Sequence, residues 1–139
     1  MSDENRPRVV VGALILNKKK EVLLIKSFKW KGHFYIPGGH VEEGERMTQA
    51  LKREIYEEVG LKVKISQFLG FQEGIFSPLY HKRRHFIFFD YLCQTIGSEK
   101  VTPDEIEAEE FLWVKPLEAL AMKIDPFTRR AIKIYLKNK

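Results

Sequence analysis

The sequence predicts an α/β sandwich in which a mixed β-sheet carries one amphipathic helix in mid-chain and a second at the C-terminus. Three observations predict it. Runs rich in β-branched and apolar residues at 9–17, 21–27 and 81–96 read as strands. Met47, Leu51, Ile55 and Val59 then recur at helical spacing, giving an apolar stripe over residues 47–59. A last stripe of Phe127, Ala131, Ile134 and Tyr135 follows Asp125-Pro126, a pair suited to starting a helix.

Bulk properties bound the answer further. A chain of 139 residues suits one domain with a sizeable core and is too short for two ordinary ones, so residues 1–139 read as a single domain with a loose polar end at 1–7. Apolar content of 44% with mixed charges excludes a disordered chain. The net charge of +5 favours anionic partners such as phosphates, but the densest basic cluster is only Lys82, Arg83 and Arg84, so nucleic acid is not the expected partner. Cys93 is the one cysteine and sits in an apolar run, which rules out an intrachain disulfide or a cysteine-built zinc cluster. The longest early apolar run, 9–16, is too short to span a membrane and lacks the arrangement of a signal peptide, so a cytoplasmic location without a membrane partner is expected.

Taken in order, residues 9–17 and 21–27 form two strands joined across a polar turn at 17–20. An aromatic and basic loop, Phe28 to Phe34, follows as a candidate ligand rim. Residues 34–36 give a short strand that runs into a Pro37-Gly38-Gly39 turn. The helix of 47–59 exposes Lys52 and Tyr56 and ends at Gly60, with no hydroxyl residue at Arg46 to cap its start. Residues 62–73 read as a long strand, 74–79 as a turn, and 81–96 as a central strand buried on both faces because its apolar run does not alternate. After a polar loop and the acidic stretch 104–110, residues 111–114 form a strand, 115–120 a helical turn, and the C-terminal helix closes the chain with Arg129, Arg130, Lys133 and Lys137 in water.

The chemistry concentrates in the mid-chain helix. Arg53, Glu54, Glu57 and Glu58 fall within six positions, and spacing of i, i+3 and i+4 brings the three carboxylates together. Like charges so placed repel by a few tenths of a kcal/mol per pair. Such a cluster is either a solvated acidic face or the site of a hard cation, for which oxygen ligands favour Mg2+, Mn2+ or Ca2+ over zinc. The apolar stripe beside it holds the carboxylates at the edge of the core, as preorganised metal binding requires.

The stretch from Gly39 to Leu61 fits a pattern of glycine, five residues, glutamate, seven residues, then Arg-Glu-apolar-x-Glu-Glu-x-Gly-apolar, at Gly39, Glu45, Arg53, Glu54, Ile55, Glu57, Glu58, Gly60 and Leu61. In this it resembles the signature box of the Nudix hydrolases. The resemblance implies a Nudix-like α/β/α sandwich and a divalent-metal enzyme, with Mg2+ as cofactor and Mn2+ as substitute, that cleaves a phosphoanhydride of a nucleoside triphosphate or another nucleoside diphosphate derivative. It implies metal ligation by the Gly39 carbonyl and by Glu54, Glu57 and Glu58. Glu54 or Glu57 would activate water, and Arg53 would clamp Glu45 on the preceding loop, with Glu57 as its other partner within reach. Relatives differ in where the base lies, and Glu107, a short loop before the Trp113 strand, is a further candidate. A basic residue near Lys26 contacts substrate phosphate in such enzymes, so Lys26 inherits that role.

Candidates for stacking on a base are Phe28, Trp30, Tyr35, Phe71, Phe76 and Tyr80, although core packing is the commoner role of an aromatic at any one position. The run HFYIPGGHVEEGE looks like that of small nucleotide-cleaning members, whereas Pro78 resembles a proline of ADP-ribose-cleaving ones. ADP-ribose or dinucleoside polyphosphate hydrolysis, and a catalytically silent nucleotide- or RNA-binding module, therefore stand as alternatives. A small nucleotide is the expected partner, and a homodimer is left open.

Overall fold

The structure, a computed structural model, describes residues 6–103 and 108–139. Its organising strand is β1, Arg8–Leu16. From Val11 to Leu16 every residue of β1 is buried, because both faces of the strand are covered. Val11, Ala13 and Ile15 pack with Ala50, Leu51, Ile55 and Val59 of α1, Met47–Val59, whereas Leu14 and Leu16 pack with Ile132 and Tyr135 of α3, Pro126–Lys137. The period of two in the strand thus separates a layer on each side of the sheet.

Around β1 the sheet is mixed. Strand β6, His85–Thr95, pairs with it in parallel from Arg8 opposite Phe86 to Leu16 opposite Gln94. On the far side of β6 lies β5, Val63–Ile75, antiparallel and at the edge of the sheet. Strand β2, Val22–Lys26, meets β1 at Leu16 opposite Val22 and takes most of its pairing from β3, Phe34–Tyr35, and from β7, Glu110–Val114. The expected first hairpin is accordingly shorter than a full two-stranded ribbon. A short helix α2, Pro116–Ala119, joins β7 to the final segment. No helix among the described residues is long and apolar enough to cross a membrane.

Three local readings change. The expected Pro37-Gly38-Gly39 turn is instead strand β4, Gly38–His40, paired antiparallel with Val10–Gly12. Neither Gly38 nor Gly39 has a positive φ. What they supply is close approach: a Cβ on Gly38 would collide with the Val11 carbonyl. The expected central strand alternates over its first half, with Phe86 and Phe88 buried and Ile87 and Phe89 only partly so, and is continuously buried only from Asp90 to Cys93. In α3 the fully buried residues are Thr128, Ala131, Ile132 and Tyr135, so Ile132 joins the expected stripe while Phe127 and Ile134 pack against the core only partly buried. Arg129 is not free in water either, since its guanidinium donates to the Leu120 carbonyl at 2.7 Å and to the Met122 carbonyl at 3.3 Å.

Helix α1 starts at Arg46, whose backbone N–H donates to Gln49 Oε1 at 2.9 Å, half of a capping box in place of the missing hydroxyl. It ends at Gly60, whose φ of 71 closes the last turn.

Candidate active site

Arg53 gathers the box. Its Nε and Nη2 donate to the two carboxylate oxygens of Glu45 at 2.7 and 2.9 Å, a bidentate pairing, and Nη2 also donates to the His40 carbonyl at 3.0 Å. Nη1 donates to Glu54 at 2.9 Å and to Glu57 at 3.2 Å. Both partners the sequence left open for Arg53 are therefore engaged, and one side chain ties β4 and its following loop to α1. The hydrogen bonds from Arg53 hold the Glu45 carboxyl down at about 2 and push the Arg53 guanidinium up.

Glu54 lies against Gly39, so closely that a Cβ there would overlap its carboxylate. Burial raises the Glu54 pKa, outweighing the opposing hydrogen bond from Arg53. Glu58 accepts from the Gly38 N–H at 3.0 Å, and Glu57 is exposed. These groups form one end of a cavity of about 350 Å³. Its lining also takes in Lys29 and His40, an aromatic wall of Trp30, Tyr80, Phe86, Phe88 and Phe127, and the polar residues Asp90, Asp125 and Thr128. The wall is built from edge contacts, Trp30 on Tyr80 at 4.8 Å and on Phe127 at 5.8 Å, with Phe88 tilted on Phe127 at 4.7 Å. His40 is held toward its neutral form by burial, then by the charges of Arg8, Lys29 and Arg84.

A family model described as NUDIX domain matches residues 6–135. The chain belongs to the Nudix family. It is a Nudix hydrolase. It is 36% identical over 94% of its length to an ADP-ribose pyrophosphatase of Methanocaldococcus jannaschii, of which it spans 74%. It is 28% identical over 93% of its length to the nucleoside triphosphatase NudI of Escherichia coli, of which it spans 96%. Three longer curated relatives are matched over 25% or 29% of their length. Among solved structures, the MutT NUDIX hydrolase of Burkholderia pseudomallei superposes with a TM-score of 0.78 at 26% identity, over 93% of this chain and 98% of the other.

Nudix hydrolases use a divalent metal. The donor set at the box end of the cavity, three carboxylates beside the Gly39 backbone, is all oxygen and fits a hard cation. Among the described residues no three acidic, histidine or cysteine side chains already converge as a cage. The reason is visible in their partners: Glu54 and Glu57 are turned onto Arg53 and Glu58 onto the Gly38 N–H.

The cavity brings together Gly39, Glu54, Glu57, Glu58, Trp30, Tyr35 and Tyr80 of the residues singled out in the sequence, with Arg53 and Glu45 bound beside them. It does not include Lys26, Phe28, Phe71 or Phe76, and Phe71 is exposed. Lys26 lies 3.9 Å from Glu110 and 5.8 Å from the Phe34 ring centre, because its strand faces β7 there. Phe28 is 52% exposed with its edge on His81 at 5.1 Å. Phe76 is also exposed, covered by the Arg83 guanidinium at 3.6 Å from its ring centre. Glu107 lies outside the described residues. Lys29 lies in the loop expected as a ligand rim, whereas sequence reasoning passed over His40, Asp90 and Asp125 as site residues. For Asp90 a signal was present, one acidic residue inside the apolar run HFIFFDYLC.

Proposed function

We propose that this Nudix hydrolase is an Mg2+-dependent pyrophosphohydrolase, with Mn2+ as a substitute, that cleaves a phosphoanhydride of a nucleoside triphosphate or another nucleoside diphosphate derivative. The observation that carries this reading is the continuity of one cavity from the box carboxylates to an aromatic wall. A phosphate chain at the first end and a base at the second use both chemistries at once. Bound at Gly39, Glu54, Glu57 and Glu58, a divalent ion would neutralise phosphate charge and make water acidic enough to react.

The protein's own groups do the rest. Glu54 or Glu57 takes the proton of the attacking water, Glu57 from its exposed position and Glu54 from its half-buried one. Arg53 bridges the two carboxylates through Nη1, offsetting their mutual repulsion, and holds the loop that carries Glu45 in register with the helix. Lys29, which lines the cavity, supplies a positive charge for phosphate. Trp30 and Tyr80 take the base. The same reading treats residues 1–139 as one domain acting in the cytoplasm on a small nucleotide; sedimentation decides between monomer and homodimer.

A second reading, ADP-ribose hydrolysis, is favoured by the 36% identity to an archaeal ADP-ribose pyrophosphatase. A panel of nucleoside triphosphates, ADP-ribose and dinucleoside polyphosphates, with products resolved by mass, separates the two. Replacing Glu57 and Glu58 together by Gln should lower turnover by roughly two orders of magnitude on every substrate, and chelator should abolish it. Turnover that survives either treatment sinks the metal mechanism.

A further inference from the structure

On the α1 side of the sheet the helix leaves part of the outer strands bare. Alternation along β6 turns Ile87, Phe89, Tyr91 and Cys93 to the face of Val9, Val11, Ala13 and Ile15, with which they pair. From β5 the same face receives Phe68, Phe71, Glu73 and Ile75, opposite Tyr91, Phe89, Ile87 and His85. The helix buries one end of this surface, where Tyr91 and Cys93 join the core with Ile55 and Val59. Toward the other end Phe68, Phe71 and Ile75 are 48%, 58% and 56% exposed, and Val9 is exposed with them.

The exposed rings are ordered on one another. Phe68 stacks on Phe89 at 6.3 Å between ring centres, Phe71 tilts on it at 6.2 Å, and Phe68 also meets Tyr91 at 5.2 Å. At roughly 200 Å² for a phenylalanine, Phe68 and Phe71 present about 200 Å², and Ile75, Val9 and the partly buried Phe89 and Ile87 bring the patch to about 400 Å². Patches of this size on a monomer are often functional. An interface of standard size takes about 800 Å² from each partner, a little over half of it apolar, or about 450 Å². The patch thus supplies the apolar share of one such interface. Its edge is unsuited to adding a strand, because the register of β5 on β6 shifts between Ile65 and Gln67 and again between Phe68 and Gly70. What is left to bind is the face.

Charge selects the occupant. Glu73 lies within the patch, on the row of Ile87. The flank of α1 turned away from Glu54 and Glu58 carries Lys52 and Tyr56, both exposed, and the Lys52 charge acts on the Cys93 thiol. Ile87 and Cys93 stand three residues to either side of Asp90 in β6, about 10 Å each way. A two-fold axis lying across the strands at that level sets Phe71 of one copy over Phe68 of the other and Glu73 over Lys52, two ion pairs from one patch. An axis along the strands would instead set Glu73 on Glu73. We propose that this face is the interface of a two-fold homodimer, with Phe68 and Phe71 at its centre and Glu73 of each copy paired with Lys52 of the other. The contact is isologous, so it closes at two copies.

Sedimentation of the native chain over about 1 to 100 µM should show a monomer–dimer equilibrium with the dimer dominant at the upper end. Phe71→Ser should be monomeric throughout, and since the ring is exposed the core is left intact. Glu73→Lys and Lys52→Glu should each raise the Kd of the dimer by roughly 10-fold to 100-fold, because each sets like charges together at two places. Both substitutions in one chain should bring the Kd back to the native value, a recovery that loss of folding would not produce. A native chain that stays monomeric, even one that captures a different protein through Phe71, overturns the proposal. So does a dimer that survives Phe71→Ser, or a pair of charge substitutions whose effects add instead of cancelling.

Discussion

At the scale of single residues the site depends on Arg53 more than its one charge suggests. One guanidinium satisfies Glu45, Glu54, Glu57 and the His40 carbonyl, so its removal leaves three carboxylates facing one another and frees the loop. Lysine cannot replace it, having no planar fork for the bidentate pair. Arg53→Lys should therefore lower kcat by at least roughly tenfold while metal binding, followed by Mn2+ titration, weakens much less. The clamp also has a pH window. Glu45 is held at about 2 against an ordinary value of 4.5, so its contribution is complete above 4.5 and is lost as pH falls toward 2. Glu45→Gln should remove that acid-side component from a pH titration of stability; an unchanged titration would mean the pair adds nothing. The box residues were legible because their chemistry is written in fixed local spacing. The link between Asp90 and the start of α3 capped by Asp125 was not, since it runs through a Gln72 side chain of β5 that donates to Asp90 and to the Phe127 carbonyl.

At the scale of elements, α1 is anchored at its ends by unequal devices. Its start has only the Gln49 half of a capping box. Its end is firm: Gly60 adopts φ 71, and the Thr102 N–H then donates to the Val59 carbonyl at 2.8 Å, docking the loop after β6 onto the helix. An added Cβ at Gly60 would sit 3.1 Å from the Thr102 Cβ as well as in a disfavoured backbone region. Gly60→Ala should thus cost about 1–2 kcal/mol, read as a fall in Tm of several degrees, and should leave KM nearly unchanged because Gly60 lies outside the cavity. Helix ends of this kind are visible in sequence, as was the helix itself. Strand β4 was not, because two glycines after proline signal a turn locally, and only the approach of Val11 shows that they serve to let two strands meet. The same distinction explains Lys26 and Phe76: their place in the chain is near the cavity, yet strand pairing and a stacked Arg83 direct them away from it.

At the scale of the whole molecule, the sheet separates two chemistries and the cavity reconnects them. Gly39 and Val11 face α1 and the carboxylates, while Gly38, Gly12 and Asp90 face α3, so the alternation of β4 alone passes from one layer to the other. The α3 side carries a stability cost. Asp90 is pushed to about 7 from 3.8 by burial, and Asp125 beside it is raised for the same reason. Between pH 3.8 and about 7 the native protein retains a proton at Asp90 that the unfolded chain has released, so unfolding becomes easier as pH rises and the deficit is complete above 7. The shift corresponds to a cost on the order of 4 kcal/mol at most. Asp90→Asn keeps the Gln72 side chain in contact and cannot ionise, so its stability should be nearly flat from pH 5 to 8 where the native protein declines, and it should be the more stable of the two at pH 8. Denaturant unfolding of both proteins at pH 5, 6, 7 and 8 measures this. Parallel curves would show that Asp90 ionises without strain in the native state.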